Sequence, residues 1–213
     1  QQADHTMQIG AADDVHEPVL ENFRQIHEQL DSERYDEHLN QLKKWCQTIF
    51  EQLKAVLNQR KQDGFVRECH GDMHLANLIW MAGPEQESSA GVPMAFDCIE
   101  FNQQLRWIDV ISEIAFLVMD LQHRNQDQLA QRFLNAYLEV SGDYAGLSVL
   151  RYYLSYRALV RAKVNALRLG QQGISEQQGQ QTVVEFESYL ELALTYTRAP
   201  AAVSYTHLTL PTI

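Results

Sequence analysis

His70-Gly71-Asp72-Met73-His74-Leu75-Ala76-Asn77 stands between the apolar stretch at Phe65-Val66 and the apolar run Leu78-Ile79-Trp80. An Asp followed five residues later by an Asn, on a loop between two short strands, pairs a group that can take a hydroxyl proton with an amide oxygen that can hold magnesium. Phe65 to Cys69 and Leu78 to Met81 read as those strands. Gly83-Pro84 and Ser88-Ser89-Ala90-Gly91 read as a turn leading to a third, Met94-Ala95-Phe96, which closes on Asp97. The fold reading starts here, because short rigid strands are what aim loop side chains.

Outward from this loop the chain is helical. Val19, Phe23, Ile26 and Leu30 fall at helical spacing and predict an amphipathic helix from about Glu17 to Leu30. Leu39, Leu42, Trp45, Ile49, Leu53 and Val56 predict the buried face of a longer one from Tyr35 to about Asn58, with Asp63-Gly64 beyond it. After the strands, Trp107–Leu121, Gln126–Val140, Leu147–Leu169 and Ser175–Thr197 all show helical periodicity, broken by Gly142, Gly146, Gly170 and Gly173. The expectation is an α+β unit, mainly α, with its chemistry on loops between strands. The tail from Val203 to Ile213 reads as the translation of a sequencing-library adapter, so residues 203–213 are expected to be non-native and the native unit to span residues 1–202, cut at both ends.

Composition narrows the function. A formal charge of −11 over 213 residues argues against a nucleic-acid surface, which needs clustered Lys and Arg. The three cysteines, Cys46, Cys69 and Cys98, show no metal-type pairing and suit a reducing compartment. No apolar run reaches the roughly 20 residues of a membrane span, so no membrane partner and a cytoplasmic location are expected.

Phosphoryl transfer from ATP needs a carboxylate to orient the hydroxyl nucleophile and oxygen ligands to hold magnesium on the phosphates. Asp72 suits the first task and Asn77 the second. Asp97, 25 residues beyond Asp72, supplies a second oxygen ligand at a strand end. The competing structural account, in which Asp72 and Asn77 only satisfy turn backbone groups, does not explain Asp97.

The segment His70–Asn77 resembles the H-G-D-x-H-x-x-N loop of the aminoglycoside phosphotransferase and choline kinase-like families, relatives of the protein kinases. Phe96-Asp97-Cys98-Ile99-Glu100-Phe101-Asn102 and Arg106-Trp107-Ile108-Asp109-Val110-Ile111-Ser112-Glu113-Ile114-Ala115-Phe116 are similar to a bacterial branch whose members often carry a P-loop ATPase domain after the kinase-like one. The resemblance runs from about Glu21 to Arg198 and implies the C-terminal, larger lobe of a protein-kinase-like fold with its small lobe missing. It makes Asp72 the base and Asn77 and Asp97 magnesium ligands that also position ATP. Asp109 and Glu113 would buttress the loop from below, with Glu113 standing where the family more usually has Asp, so that its contact could lengthen or be lost. Glu100 is left with two readings, a further metal ligand or an ion pair with Arg106. His70 and His74 are read as packing and hydrogen-bonding members of the loop.

Tyr156, Arg157, Arg161, Lys163 and Arg168 form a basic stretch that reads either as a solvated helix face or as a source of Arg157 or Arg161 for an anionic small-molecule acceptor. No Gly-rich loop or helix-held Lys precedes Asp72, so the fragment itself is expected to be inactive. A two-metal phosphoesterase would need an upstream D-x-H and a downstream G-N-H, and neither occurs. A non-catalytic kinase-like module serving an attached ATPase is the other rival.

Overall fold

Acidic first turns and apolar residues at helical spacing start the chain as two helices. In the computed structural model, which describes residues 9–30, 32–81, 91–171 and 173–198, α1 spans Ala12–Gln29 and α2 spans Asp36–Gln62. The expected turn over residues 83–90 and the tail at 203–213 lie outside the described residues. Helix α1 begins five residues ahead of the expected start because Asp14 reaches back to the Ala11 amide at 3.0 Å, leaving Pro18 inside the helix. Val19, Phe23 and Ile26 are buried as their spacing requires. On α2 the buried stripe is Leu39, Leu42, Cys46, Phe50 and Leu57, with Trp45, Ile49 and Leu53 at its flank and Val56 exposed. The stripe is thus rotated by about one residue from the expected one, because Cys46 and Phe50 fill the core positions on the face that meets α1 and α6, with Phe50 stacked on His16 of α1.

Among the described residues, four short strands follow in two separate antiparallel pairs. Strand β1 (Val66–Glu68) pairs with β4 (Trp107–Asp109), and β2 (Leu78–Met81) pairs with β3 (Val92–Ala95). Trp107 was expected to open a helix and instead lies in β4, opposite Glu68. The helix starts at Val110, where the Asp109 carboxylate accepts from the Ile111 amide at 2.9 Å and caps the first turn. The third strand likewise ends at Ala95, one residue short of Phe96. A single turn, α3 (Gln103–Arg106), capped by Asn102 onto the Gln104 amide, was not foreseen. The β1–β4 ladder encloses everything between Cys69 and Arg106, so the entire candidate loop region is one excursion tied at its base.

Helix α4 (Val110–His123) is buried from Ile111 to Leu121 without a break, as befits a helix apolar on all sides. It is wrapped by α5 (Asp127–Ser141), α6 (Leu147–Leu169) and α7 (Glu176–Thr195), with α6 packed against α1, α4 and α7 together. Phe116, Met119, Tyr152, Tyr153, Leu159 and Phe186 form the centre of this core. Helix α5 ends on Gly142 in the left-handed conformation, and α7 begins with a Ser175–Gln178 capping box. No helix among the described residues is long and apolar enough to cross a membrane. The three cysteines are free thiols, and burial pushes those of Cys46 and Cys69 up to about 12.

Candidate active site

The 70–77 loop is held from both sides by backbone contacts. Cys69 donates its amide to Arg106 O at 2.8 Å, Ile99 donates to His70 O at 3.0 Å, and Phe96 donates to Asn77 O at 3.0 Å. These bonds lace the 96–99 segment, which carries Asp97, onto the loop that carries Asp72 and Asn77. His70 adds a side-chain tie: a carbonyl can only accept, so His70 Nε2 donates to Phe96 O at 2.7 Å while Nδ1 receives the Asp72 amide at 3.3 Å. Gly71 is required at its place, since its φ is +87° and a Cβ would meet Leu105 O at 2.6 Å.

Beneath the loop, helices α4 and α6 present polar groups to its backbone. Glu113 Oε2 accepts from the Gly71 amide at 3.0 Å, so the longer side chain keeps the contact that was in doubt. Asp120 Oδ2 accepts from the Leu75 amide at 2.8 Å. Arg157 donates to Gly71 O and Ser112 O, both at 3.1 Å, and its guanidinium lies 4.6 Å from the Phe116 ring centroid. Asp109 does not touch the loop. Its carboxylate takes two bonds from Arg60, at 2.7 and 2.9 Å, and Arg60 makes two more with Asp143.

Two expectations are therefore corrected. Arg157 is 5% exposed and gives Nε and Nη1 to backbone carbonyls, so it is not a solvated residue; it is a strut under Gly71. Asp109 buttresses the α2–α4 junction rather than the loop. Glu100 makes no pair with Arg106, which lies 3.1 Å from Glu68, close enough for an ion pair though not aligned for a hydrogen bond. Glu100 is exposed, with Cys98 Sγ 3.9 Å away.

On the open side, Asp72 meets His74 Nε2 at 3.4 Å and the Asn77 amide nitrogen at 3.1 Å. The hydrogen bond from His74 is the largest influence on Asp72, and it outweighs burial to hold the carboxyl below its ordinary range. An ionised carboxylate at neutral pH is what a proton-accepting role demands. Burial acts the other way on Glu113 and raises its pKa, with Arg157 opposing the shift.

The donor set suits magnesium. Asn77 spends its amide nitrogen on Asp72 O and Oδ2, which leaves its Oδ1 without a partner among the described residues. Asp97 is exposed and its side chain forms no hydrogen bond or ion pair among them. Its φ of +61° is a left-handed conformation that a non-glycine residue adopts only under constraint, and such strain gathers where a side chain is being aimed. Two free, hard oxygen donors on loops bonded to each other fit a cation that keeps several waters.

Sequence reading missed Asp120, Arg60 and Asp143. Asp120 had a signal, a lone acid inside the apolar run Phe116-Leu117-Val118-Met119. The Arg60–Asp143 pair had none, since nothing local marks partners 83 residues apart.

The site thus brings an acid and amide pair, strapped to a second acid, onto loops supported by buried helices. A sequence profile of the phosphotransferase enzyme family matches residues 4–151, and the chain belongs to that family. The match bears out the aminoglycoside phosphotransferase and choline kinase-like resemblance. Curated relatives include uncharacterized proteins of Mycobacterium tuberculosis and Mycobacterium bovis, each 38% identical over 112 residues, which is 53% of this chain and 21% of theirs. The chain thus spans about a fifth of the length of the curated relatives it matches. No solved structure matches it at a significant level.

Proposed function

We propose that this chain is the larger lobe of a kinase-like, ATP- and magnesium-dependent phosphotransferase acting on the hydroxyl of a small molecule. The observation that carries the reading is the lacing of Asp97 to Asn77 and Asp72 through Phe96 N, Asn77 O and the His70 ring. Asp72, kept ionised by His74, accepts a hydrogen bond from the acceptor hydroxyl and takes its proton as phosphoryl transfer proceeds. Asn77 Oδ1 and Asp97 would hold magnesium, which when bound would neutralise charge on the nucleotide phosphates. Glu113, Asp120 and Arg157 fix the loop so that Asp72 costs little reorganisation when the acceptor arrives.

The β2–β3 hairpin beside the loop supports the missing-lobe part of the reading. One of its faces leaves Ile79, Met81, Val92 and Met94 in solvent and the other leaves Trp80, at 69% exposure, and apolar surface of that kind suits a nucleotide base or a covering lobe. The length of the curated relatives leaves room for a small lobe and for a P-loop ATPase domain in the parent protein.

The test is ATP-dependent phosphorylation of a panel of hydroxylated small molecules by the full-length protein and its Asp72→Asn variant. The variant is expected to lose roughly 10²- to 10⁴-fold in rate, the usual contribution of a positioned base. Unchanged transfer would remove Asp72 from the chemistry. Unchanged cellular function without any transfer would favour a kinase-like binding module instead.

A further inference from the structure

Arg161 lies one turn beyond Arg157 on α6 and has different company. Its Nη1 is 3.5 Å from His74 Nε2, its guanidinium is 5.6 Å from the Tyr189 ring centroid, and its Nε is buried with no hydrogen-bond partner. None of the ion pairs among the described residues includes it. His74 does not supply the missing acceptor. Asp72 Oδ2 sits 3.4 Å from the same Nε2 and can only accept, so that nitrogen carries the ring proton and has no lone pair to offer Arg161. The Tyr189 hydroxyl donates to Asp120 Oδ1 at 3.4 Å and takes a hydrogen bond from Arg161, a neutral partner that balances none of the guanidinium charge and leaves Nε unpaired. A half-buried guanidinium is therefore left with neutral partners and unused donors. Desolvating a cation without a counter-ion is costly, and buried donors left open in a native protein call for a ligand or a role.

We propose that Arg161 binds an anionic group of the acceptor, a carboxylate or a phosphate, and so selects a hydroxylated anion as the molecule whose hydroxyl faces Asp72. The inference rests on the reading of Asp72 as the carboxylate that orients the hydroxyl. One imidazole, that of His74, separates the guanidinium from the Asp72 carboxylate, so the acceptor's charge and its reacting hydroxyl stand a few bonds apart. A short hydroxy acid or a polyol phosphate has that form, and the planar guanidinium fork matches either oxyanion. The formal charge of −11 repels anions at long range, so holding one beside Asp72 calls for a dedicated cation. A cationic acceptor would meet repulsion at Arg161.

Isothermal titration of the full-length protein with glycerate, glycerol 3-phosphate, glycerol and ethanolamine tests the proposal. At least one anion is expected to bind, with glycerol and ethanolamine roughly tenfold weaker or worse. Arg161→Gln is expected to weaken that anion roughly tenfold or more, the size of one charge-assisted hydrogen bond, and Arg161→Lys to recover part of the loss with an unchanged circular dichroism spectrum. Preference for glycerate or for glycerol 3-phosphate identifies the oxyanion. The proposal is overturned if neither anion binds, if glycerol or ethanolamine binds as tightly, or if Arg161→Gln binds like the parent. Asp72→Asn separates the two readings, because it removes a nearby negative charge and should keep or strengthen anion binding. Transfer that survives in Asp72→Asn while anion binding depends on Arg161 sinks the catalytic reading alone; transfer that depends on Asp72 with no anion preference sinks the selection by Arg161 alone.

Discussion

Glu113 carries a buried carboxyl with one oxygen on the Gly71 amide and the other without a partner. Because burial raises its pKa above the ordinary 4.5, the folded chain takes up this proton at a higher pH than the unfolded chain. The site's contribution to stability therefore increases as pH falls from the raised value toward 4.5. Asp72 has the opposite sign, since its depressed pKa gives stability that is lost on acidification, but its window lies below the ordinary 3.8 and does not overlap. Urea unfolding of Glu113→Gln between about pH 7 and about pH 5 should show this component of the slope removed, with the Gly71 contact kept by the amide oxygen. An identical slope in both proteins would place the raised proton elsewhere. That Asp72, Asn77 and Asp97 would come together was legible from spacing, and they are brought onto adjoining loops. Their supports were only partly so, because Glu113 sits on a recognisable motif whereas Arg157 had to be seen under Gly71 before its donors could be assigned.

At the scale of elements, helix α2 ends in the ion cluster that joins it to α4. Arg60 is 4% exposed and bonds to Asp109 and Asp143 at once, while Gly146 and Tyr137 also donate to Asp143. Removing the cation leaves two carboxylates buried and uncompensated. Arg60→Met should cost roughly 3–5 kcal/mol in chemical denaturation, and adding Asp109→Asn and Asp143→Asn should recover much of it, since an apolar or neutral replacement of the whole cluster is far less costly than breaking it. A loss below about 1 kcal/mol would mean that the cluster is hydrated rather than dry. The same junction explains where the helix boundaries escaped prediction. Trp107 and Ile108 have apolar character that suits a helix face or a strand equally, and pairing with Glu68 and Arg67 across the chain decided for strand. On α2 the period was readable but its phase was not, because Trp45 and Cys46 are both acceptable at the core and only the packing against α1 and α6 chooses between them.

For the whole molecule, burial is uneven. Helices α4 and α6 lie at the centre of the core, whereas β2 and β3 have almost all their side chains in solvent. Native-state hydrogen exchange should find the slowest amides in α4 and α6 and exchange in the β2–β3 hairpin faster by orders of magnitude, because the hairpin can open without disturbing the core. Equal protection in both would show that the hairpin unfolds only with the rest. The helical class and the order of the long helices followed from periodicity along the chain. The packing of α5, α6 and α7 around α4 did not, since it depends on contacts between segments far apart in sequence.

The strand pair β1–β4 ties off the excursion from Cys69 to Arg106 at its base. Heredity can treat such a bracket as a cassette: lineages can rewrite the residues inside it, and with them the reaction or its metal, while the helices that fold the chain are inherited unchanged. The lines of descent that must vary together are the few that cross the bracket, Glu113, Asp120 and Arg157 with the amides and carbonyl they hold.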